Sequence, residues 1–151
     1  MTVISAAAAA AQTATPPPPA PAPGSPAIFK SNAELAAVLK KATASAAGMT
    51  TSNIANTDQY SINIVHREKA AGAVAHAGNT ELHYVIEGSG TFVSGGKLIR
   101  GATGSPASIE GGTAKPFAKG DVIVVPANSP HWYSVTDGPI TYLEVRWLAP
   151  K

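Results

Sequence analysis

The chain has 151 residues, of which 44% are hydrophobic, 13% charged and 6% aromatic, with a formal net charge of +2; this is material for one domain with its own core and not comfortably for two. It has no cysteine, which excludes a disulfide framework, thiolate zinc sites and thiol nucleophiles. The eleven Lys and Arg residues are scattered, so no basic stripe points to nucleic acid or an anionic membrane surface.

Residues 1–26 carry no charged side chain and hold seven of the thirteen prolines and nine alanines. The apolar run Thr2 to Ala11 is far shorter than the eighteen or so residues a membrane span needs. Its small residues suit the end of a secretory signal, although the positive n-region of such a signal is missing. Thr15 to Pro26, with four consecutive prolines from Pro16, cannot enter a helix or a sheet ladder and predicts an extended, polyproline-like tether. The expectation is a periplasmic or secreted protein, with a cytoplasmic one as the alternative, whose folded domain is residues 27–151.

From Ser31 the pattern becomes helical. Ser31 is placed as N-cap with Glu34 three residues on as a capping box, and Leu35, Val38 and Leu39 fall on one face, so one helix ending near Gly48 is expected. Beyond Gly48 only short β-rich runs follow, separated by Gly, Pro, Asn and Asp: Gln59 to Arg67, Thr80 to Glu87, Gly90 to Ser94, Asp121 to Val125, His131 to Val135 and Ile140 to Trp147. Twelve of the fourteen glycines lie between Gly72 and Gly138 and mark the turns. This is an all-β pattern, an antiparallel sandwich or small barrel preceded by one α-helix. In Ser61 to His66 and Ile140 to Trp147 the alternation fits strands with one wet face. The Lys97 to Lys119 stretch is a long connection, either a hairpin over the barrel mouth or a lid.

Four histidines occur, at positions 66, 76, 83 and 131. His76 is followed after four residues by Glu81 and after six more by Gly88, a spacing that resembles the first motif of the cupin family, G-x5-H-x-H-x(3,4)-E-x6-G, over about residues 74–90. Gly120-Asp121-Val122-Ile123-Val124-Val125-Pro126-Ala127-Asn128-Ser129-Pro130-His131 resembles the second, G-x5-P-x-G-x2-H-x3-N, over about residues 120–135. The resemblance implies a small double-stranded β-helix, the cupin jelly roll. It also implies a divalent metal (Fe, Mn, Zn or Ni) held by His76, Glu81 and His131, a set of the 2-His-1-carboxylate type that leaves positions open for substrate or dioxygen. A barrel can supply such a set because alternate side chains of neighbouring strands converge on its interior. Val74 stands where the family has its first histidine, Asn128 replaces the glycine of the second motif, and Val135 its final asparagine. Asn tolerates the left-handed conformation that such a glycine adopts.

Glu81 and His83 are two apart on one expected strand and face the same side, so His83 is a candidate fourth ligand in place of the absent histidine. Tyr133 and His83 are the candidate acid or base groups, while Tyr84 and Trp132, on the opposite alternation, are expected to pack. No motif supports His66. The expected function is a metal-dependent cupin acting on a small organic molecule as a dioxygenase, isomerase or lyase. The alternative is a non-catalytic binding or sensor domain with a weak or lost metal site, and metal storage ranks last. An antiparallel barrel with exposed edges also has a motive to form a homodimer, unless the helix covers one sheet.

Overall fold

The computed structural model describes residues 16–41 and 48–150. Helix α1 spans Asn32–Lys41, and its start is set by the expected capping box. The Ser31 Oγ accepts from the Glu34 N–H at 3.2 Å, and the Glu34 carboxylate accepts from the Ser31 N–H at 2.8 Å, so two of the orphan donors at the helix start are satisfied reciprocally. The stretch expected to continue this helix towards Gly48 falls, over residues 42–47, outside the described residues. Residues 16–26 are exposed almost throughout, yet they are tied to the body: Asp58 N–H donates to the Pro18 carbonyl at 2.8 Å, and the Asp58 carboxylate accepts from Ala20 N–H at 3.0 Å. The apolar run before them, Thr2 to Ala11, lies outside the described residues.

Among the described residues ten strands follow: β1 Met49–Asn56, β2 Tyr60–Arg67, β3 Asn79–Glu87, β4 Gly90–Ser94, β5 Lys97–Ile99, β6 Ser108–Glu110, β7 Thr113–Phe117, β8 Val122–Val125, β9 His131–Thr136 and β10 Ile140–Leu148. They form an antiparallel five-stranded sheet in the order β1-β2-β10-β3-β8, a three-stranded sheet β7-β4-β9, and a hairpin β5-β6. The result is a mostly β jelly roll with one short helix, as the sequence implied. All six expected strands are present to within a residue or so. The long connection after β4 contains the β5-β6 hairpin and then β7. Pro116 interrupts the β pattern of β7 and is tolerated because β7 is an edge strand of its sheet. The unanticipated β1 is mostly polar and carries a bulge between Asn53 and Ala55, which hides its alternation. Helix α1 lies against β1 and β2.

The core fills the space between the sheets. Val65, Val85, Val125, Ile140 and Tyr142 from the large sheet meet Phe92, Phe117 and Tyr133 from the smaller one. Gly88, after β3, has φ +93°, and a Cβ there would meet the Pro139 carbonyl and the Ile140 side chain at 2.7 Å. The close approach of the β3-β4 turn to the start of β10 therefore demands glycine.

Candidate metal centre

Strand β3 shows how the chain delivers chemistry to the interior. Glu81, His83 and Val85 alternate along it, each 1% exposed, while Tyr84 and Ile86 between them are 43% and 36% exposed on the outer surface. Tyr84 thus faces outwards rather than packing as expected. Trp132 is half-buried and its indole N–H donates to the Ala71 carbonyl.

Three imidazoles surround the Glu81 carboxylate. His76 Nδ1 bonds Oε1, His83 Nε2 lies 3.2 Å from Oε2, and His131 Nε2 lies 3.6 Å from the same oxygen. Each is positioned by a different element. His83 follows Glu81 on β3, whereas His131 opens β9. His76 belongs to the loop before β3, and that loop is stitched to the β8-β9 connection. Val74 exchanges backbone hydrogen bonds with His131 at 3.0 and 2.8 Å, Asn128 N–H donates to the His76 carbonyl at 3.1 Å, and Asn128 Oδ1 accepts from Gly78 N–H at 3.2 Å. Asn128 has φ +64°, the only positive φ of a non-glycine among the described residues. It takes up the left-handed turn anticipated for it and uses its side chain as a clasp as well.

The protonation pattern follows from the partners. Burial pushes the Glu81 carboxyl up, but hydrogen bonds from His76 and His83 and the nearby His131 and Arg146 together outweigh burial and hold it well below the usual carboxylate range. An ionised carboxylate only accepts, so His76 Nδ1 and His83 Nε2 carry the protons in these contacts. His131 differs. Its Nδ1 faces the Ser129 carbonyl at 3.1 Å and must donate to it, which leaves the Nε2 lone pair pointing towards Glu81. Burial, the largest influence, lowers the His131 pKa despite the opposing pull of Glu81, so this imidazole is held neutral and oriented as a ligand is.

The donors fit a metal. The ligand atoms of His76, Glu81 and His131 lie within 4.8 Å of one another, and bonds of about 2.0–2.2 Å call for donors roughly 3.0–3.5 Å apart. Glu81, His83 and Glu144 form a second such group, so His83 shares Glu81 with the first group but also faces a carboxylate that sequence reasoning did not single out. Glu144 Oε2 is 3.8 Å from His83 Nε2 and accepts from Arg146 Nη2 at 2.9 Å, while Arg146 Nε is 3.7 Å from Glu81. The available signal was the alternation in β10. Tyr142, Glu144 and Arg146 share a face that suggested a wet exterior, and in the fold this face turns inwards.

Tyr133 is 3% exposed. Its hydroxyl meets His83 Nδ1 at 3.0 Å, and its ring stacks on Tyr142 with centroids 5.1 Å apart. Burial raises its phenol well above the ordinary value, and raises Tyr142 to about 12. His66 lies outside the cluster, between Thr141 Oγ1 at 2.8 Å and Glu68 at 3.2 Å. The cluster opens through His76, whose side chain is 30% exposed, into a cleft of about 480 Å³. Thr51, Asn63, Arg67, Val74, Glu144 and Arg146 are among its walls.

A barrel interior holding two imidazoles and a carboxylate at these motif positions agrees with the match of residues 34–139 to the Cupin family. The chain belongs to the cupin family. Among curated protein sequences none matches this cupin. Solved structures share its fold at low identity. The hydroxypropylphosphonic acid epoxidase from S. wedmorenis is 15% identical with TM-score 0.53, covering 66% of this chain and 51% of that one. Fe(II)-HppE with the alternative substrate (S)-1-HPP gives the same identity and TM-score, with 66% and 49% covered. A candidate mannose-6-phosphate isomerase from Ralstonia eutropha JMP134 is 17% identical with TM-score 0.52, covering 74% and 95%. The cupin thus spans about half the length of the first two. No helix among its described residues is long and apolar enough to cross a membrane.

Proposed function

We propose that this cupin binds one divalent metal through His76, Glu81 and His131, with His83 as a fourth donor, and acts through it on a small organic molecule that enters the cleft. The observation that carries this reading is the buried Glu81 carboxylate encircled by three imidazoles where the cleft reaches the interior. Such an ion, of the Fe, Mn, Zn or Ni type, supplies Lewis-acid polarisation of a bound oxygen. The chain supplies the rest. Glu81 balances charge, Ser129 holds His131 with Nε2 presented, and the Val74–His131 and Asn128–His76 backbone bonds keep the two imidazoles in register.

For His83 to ligate, the proton on Nε2 must leave and Nδ1 must carry one, with the Tyr133 hydroxyl turning from donor to acceptor. Tyr133 can do either, and we assign it this positioning role. A hydroxyl held protonated and hydrogen-bonded in the core is poorly placed to reach substrate.

Elemental analysis of the purified chain beside His131→Ala tests the reading. The wild type should carry close to one metal per chain and His131→Ala far less. Wild type without stoichiometric metal, under conditions where other metalloproteins keep theirs, would leave the binding or sensor alternative. That alternative draws on Val74 standing in place of a ligand histidine. His83→Ala assays the fourth position separately: unchanged stoichiometry and affinity would remove His83 from the set.

A further inference from the structure

The same cleft contains an arginine that the metal cluster does not use. Arg67 ends β2 and lines the cleft, and it also borders a small crevice shared with His131 and Tyr133. The other arginine in the cleft, Arg146, donates Nη2 to Glu144 at 2.9 Å and lies with Nε 3.7 Å from Glu81. Arg67 has no carboxylate within ion-pair distance among the described residues. Its Nε donates to the Tyr142 hydroxyl at 2.9 Å, and its guanidinium carbon lies 5.6 Å and 5.9 Å from the centroids of the Tyr133 and Tyr142 rings.

Those contacts fix the side chain without neutralising it. Two aromatic faces hold the planar group by cation–π attraction, and the Nε bond sets its rotation, so the Nη edge remains as a preorganised fork of donors. A half-buried cation of this kind has lost part of its hydration and gained no counter-charge. A bidentate oxyanion restores both, because the spacing of guanidinium donors matches carboxylate and phosphate oxygens.

We propose that Arg67 is the anchor for the anionic head of the ligand, and that the molecule this cleft takes is a small organic acid bearing a carboxylate or a phosphonate-type group. The proposal rests on the metal reading only for what lies at the other end of the ligand. With its head on Arg67, the body of the molecule extends along the cleft past Asn63 and Thr51 towards His76. The pairing of Arg146 with Glu144 keeps that second cation from competing for the head, so orientation is set by Arg67 alone.

The test uses calorimetric titration of the full chain, both chelator-treated and reloaded with Mn(II), with malonate, methylphosphonate and the uncharged malonamide. Saturable binding of at least one anion and none of malonamide is expected. In Arg67→Gln the anion should bind about 10- to 100-fold more weakly, the loss that follows removal of a charged hydrogen-bond pair, with metal content unchanged. Arg67→Lys keeps the charge but not the fork and should fall between. Its discrimination between malonate and methylphosphonate identifies which head group the site prefers. Thermal melts accompany each variant. Should Arg67→Gln fail to fold, Tyr142→Phe removes the Nε partner and is expected to weaken anion binding modestly while Arg67→Lys carries the main comparison. Equal anion affinity in wild type and the Arg67 variants, or no saturable binding of either anion in either metal state, overturns the proposal. Anion binding that depends on Arg67 in a chain that takes up no metal would sustain it while removing the metal reading, so the two fail separately.

Discussion

The barrel interior is divided into two halves built on opposite principles. One half is an apolar and aromatic plug of Phe92, Phe117, Tyr133, Val85 and Val125, which Val65 of β2 and Ile140 and Tyr142 of β10 complete. Around the near end of β3, the start of β9 and the middle of β10 the other holds Glu81, His83, His131 and Glu144, each 6% exposed or less, with Arg146 and Arg67 beside them. The first half stabilises the fold by removing apolar area from water. The second places ionisable groups where hydration is lost, a cost offset only by mutual hydrogen bonding and by whatever binds there. The plug is thus the part that makes the polar half affordable, and the two touch at Tyr133, whose hydroxyl meets His83 Nδ1 at 3.0 Å, and at Phe92, whose ring centroid lies 4.9 Å from Tyr133, 6.2 Å from His83 and 6.1 Å from His131.

Truncating the plug in two places separates support of the fold from support of the site. Phe92→Ala and Phe117→Ala should each cost about 3–5 kcal/mol in denaturant unfolding, the range for large-to-small changes at aromatic core positions. Phe117 contacts Tyr133 at 5.1 Å and neither ligand ring, so its loss should leave metal affinity close to wild type. Phe92→Ala should weaken metal binding as well, because His83 and His131 lose the surface against which they rest. Equal effects on metal affinity would show that the two halves are not mechanically distinct.

Glu81→Gln strikes the polar half with almost no change of volume. It removes the ionised acceptor of His76 and His83 and should destabilise the chain by about 1.5–3 kcal/mol, as expected for a lost hydrogen bond to a charged group. Its effect on metal affinity should exceed the roughly 10- to 100-fold typical of losing a residue that only supports a ligand. A Gln variant that retains wild-type metal affinity would exclude Glu81 as a ligand.

The same division explains what could be read from the sequence. The convergence of His76, Glu81 and His131 was legible because fixed spacing and the glycine and proline turns bring together the loop before β3, β3 itself and the start of β9. The positions of most strands along the chain were legible because apolar alternation marks β2, β3, β9 and β10. Glu144, Arg146 and Arg67 were not, for a physical reason: a charged residue alternating with apolar ones is normally the wet face of a strand. Only the closing of β2 and β10 over a polar cavity reverses that rule. Strand β1 was missed for a related reason, since Thr51 and Asn53 lie on a face where polar residues are tolerated and the bulge after Asn53 breaks the period.

A more local effect is expected at Asn128, which belongs to neither half and ties the His76 loop to the β8-β9 connection. At φ +64° a residue with a β-carbon other than Asn or Asp is strained, and Asn128→Ala should lose about 1–2 kcal/mol from backbone strain in addition to the hydrogen bond from Gly78 N–H to Asn128 Oδ1. Asn128→Gly relieves the strain and loses only that hydrogen bond, so its stability should be within about 1 kcal/mol of wild type. Both variants release the side-chain clasp on the His76 loop while keeping the Val74–His131 backbone pair, so they should share a modest loss of metal affinity despite differing in stability. If metal affinity instead follows stability across the two, the clasp is a turn device alone. The registration of His76 would then rest on the Val74–His131 backbone bridge and the bond from the residue 128 N–H to the His76 carbonyl.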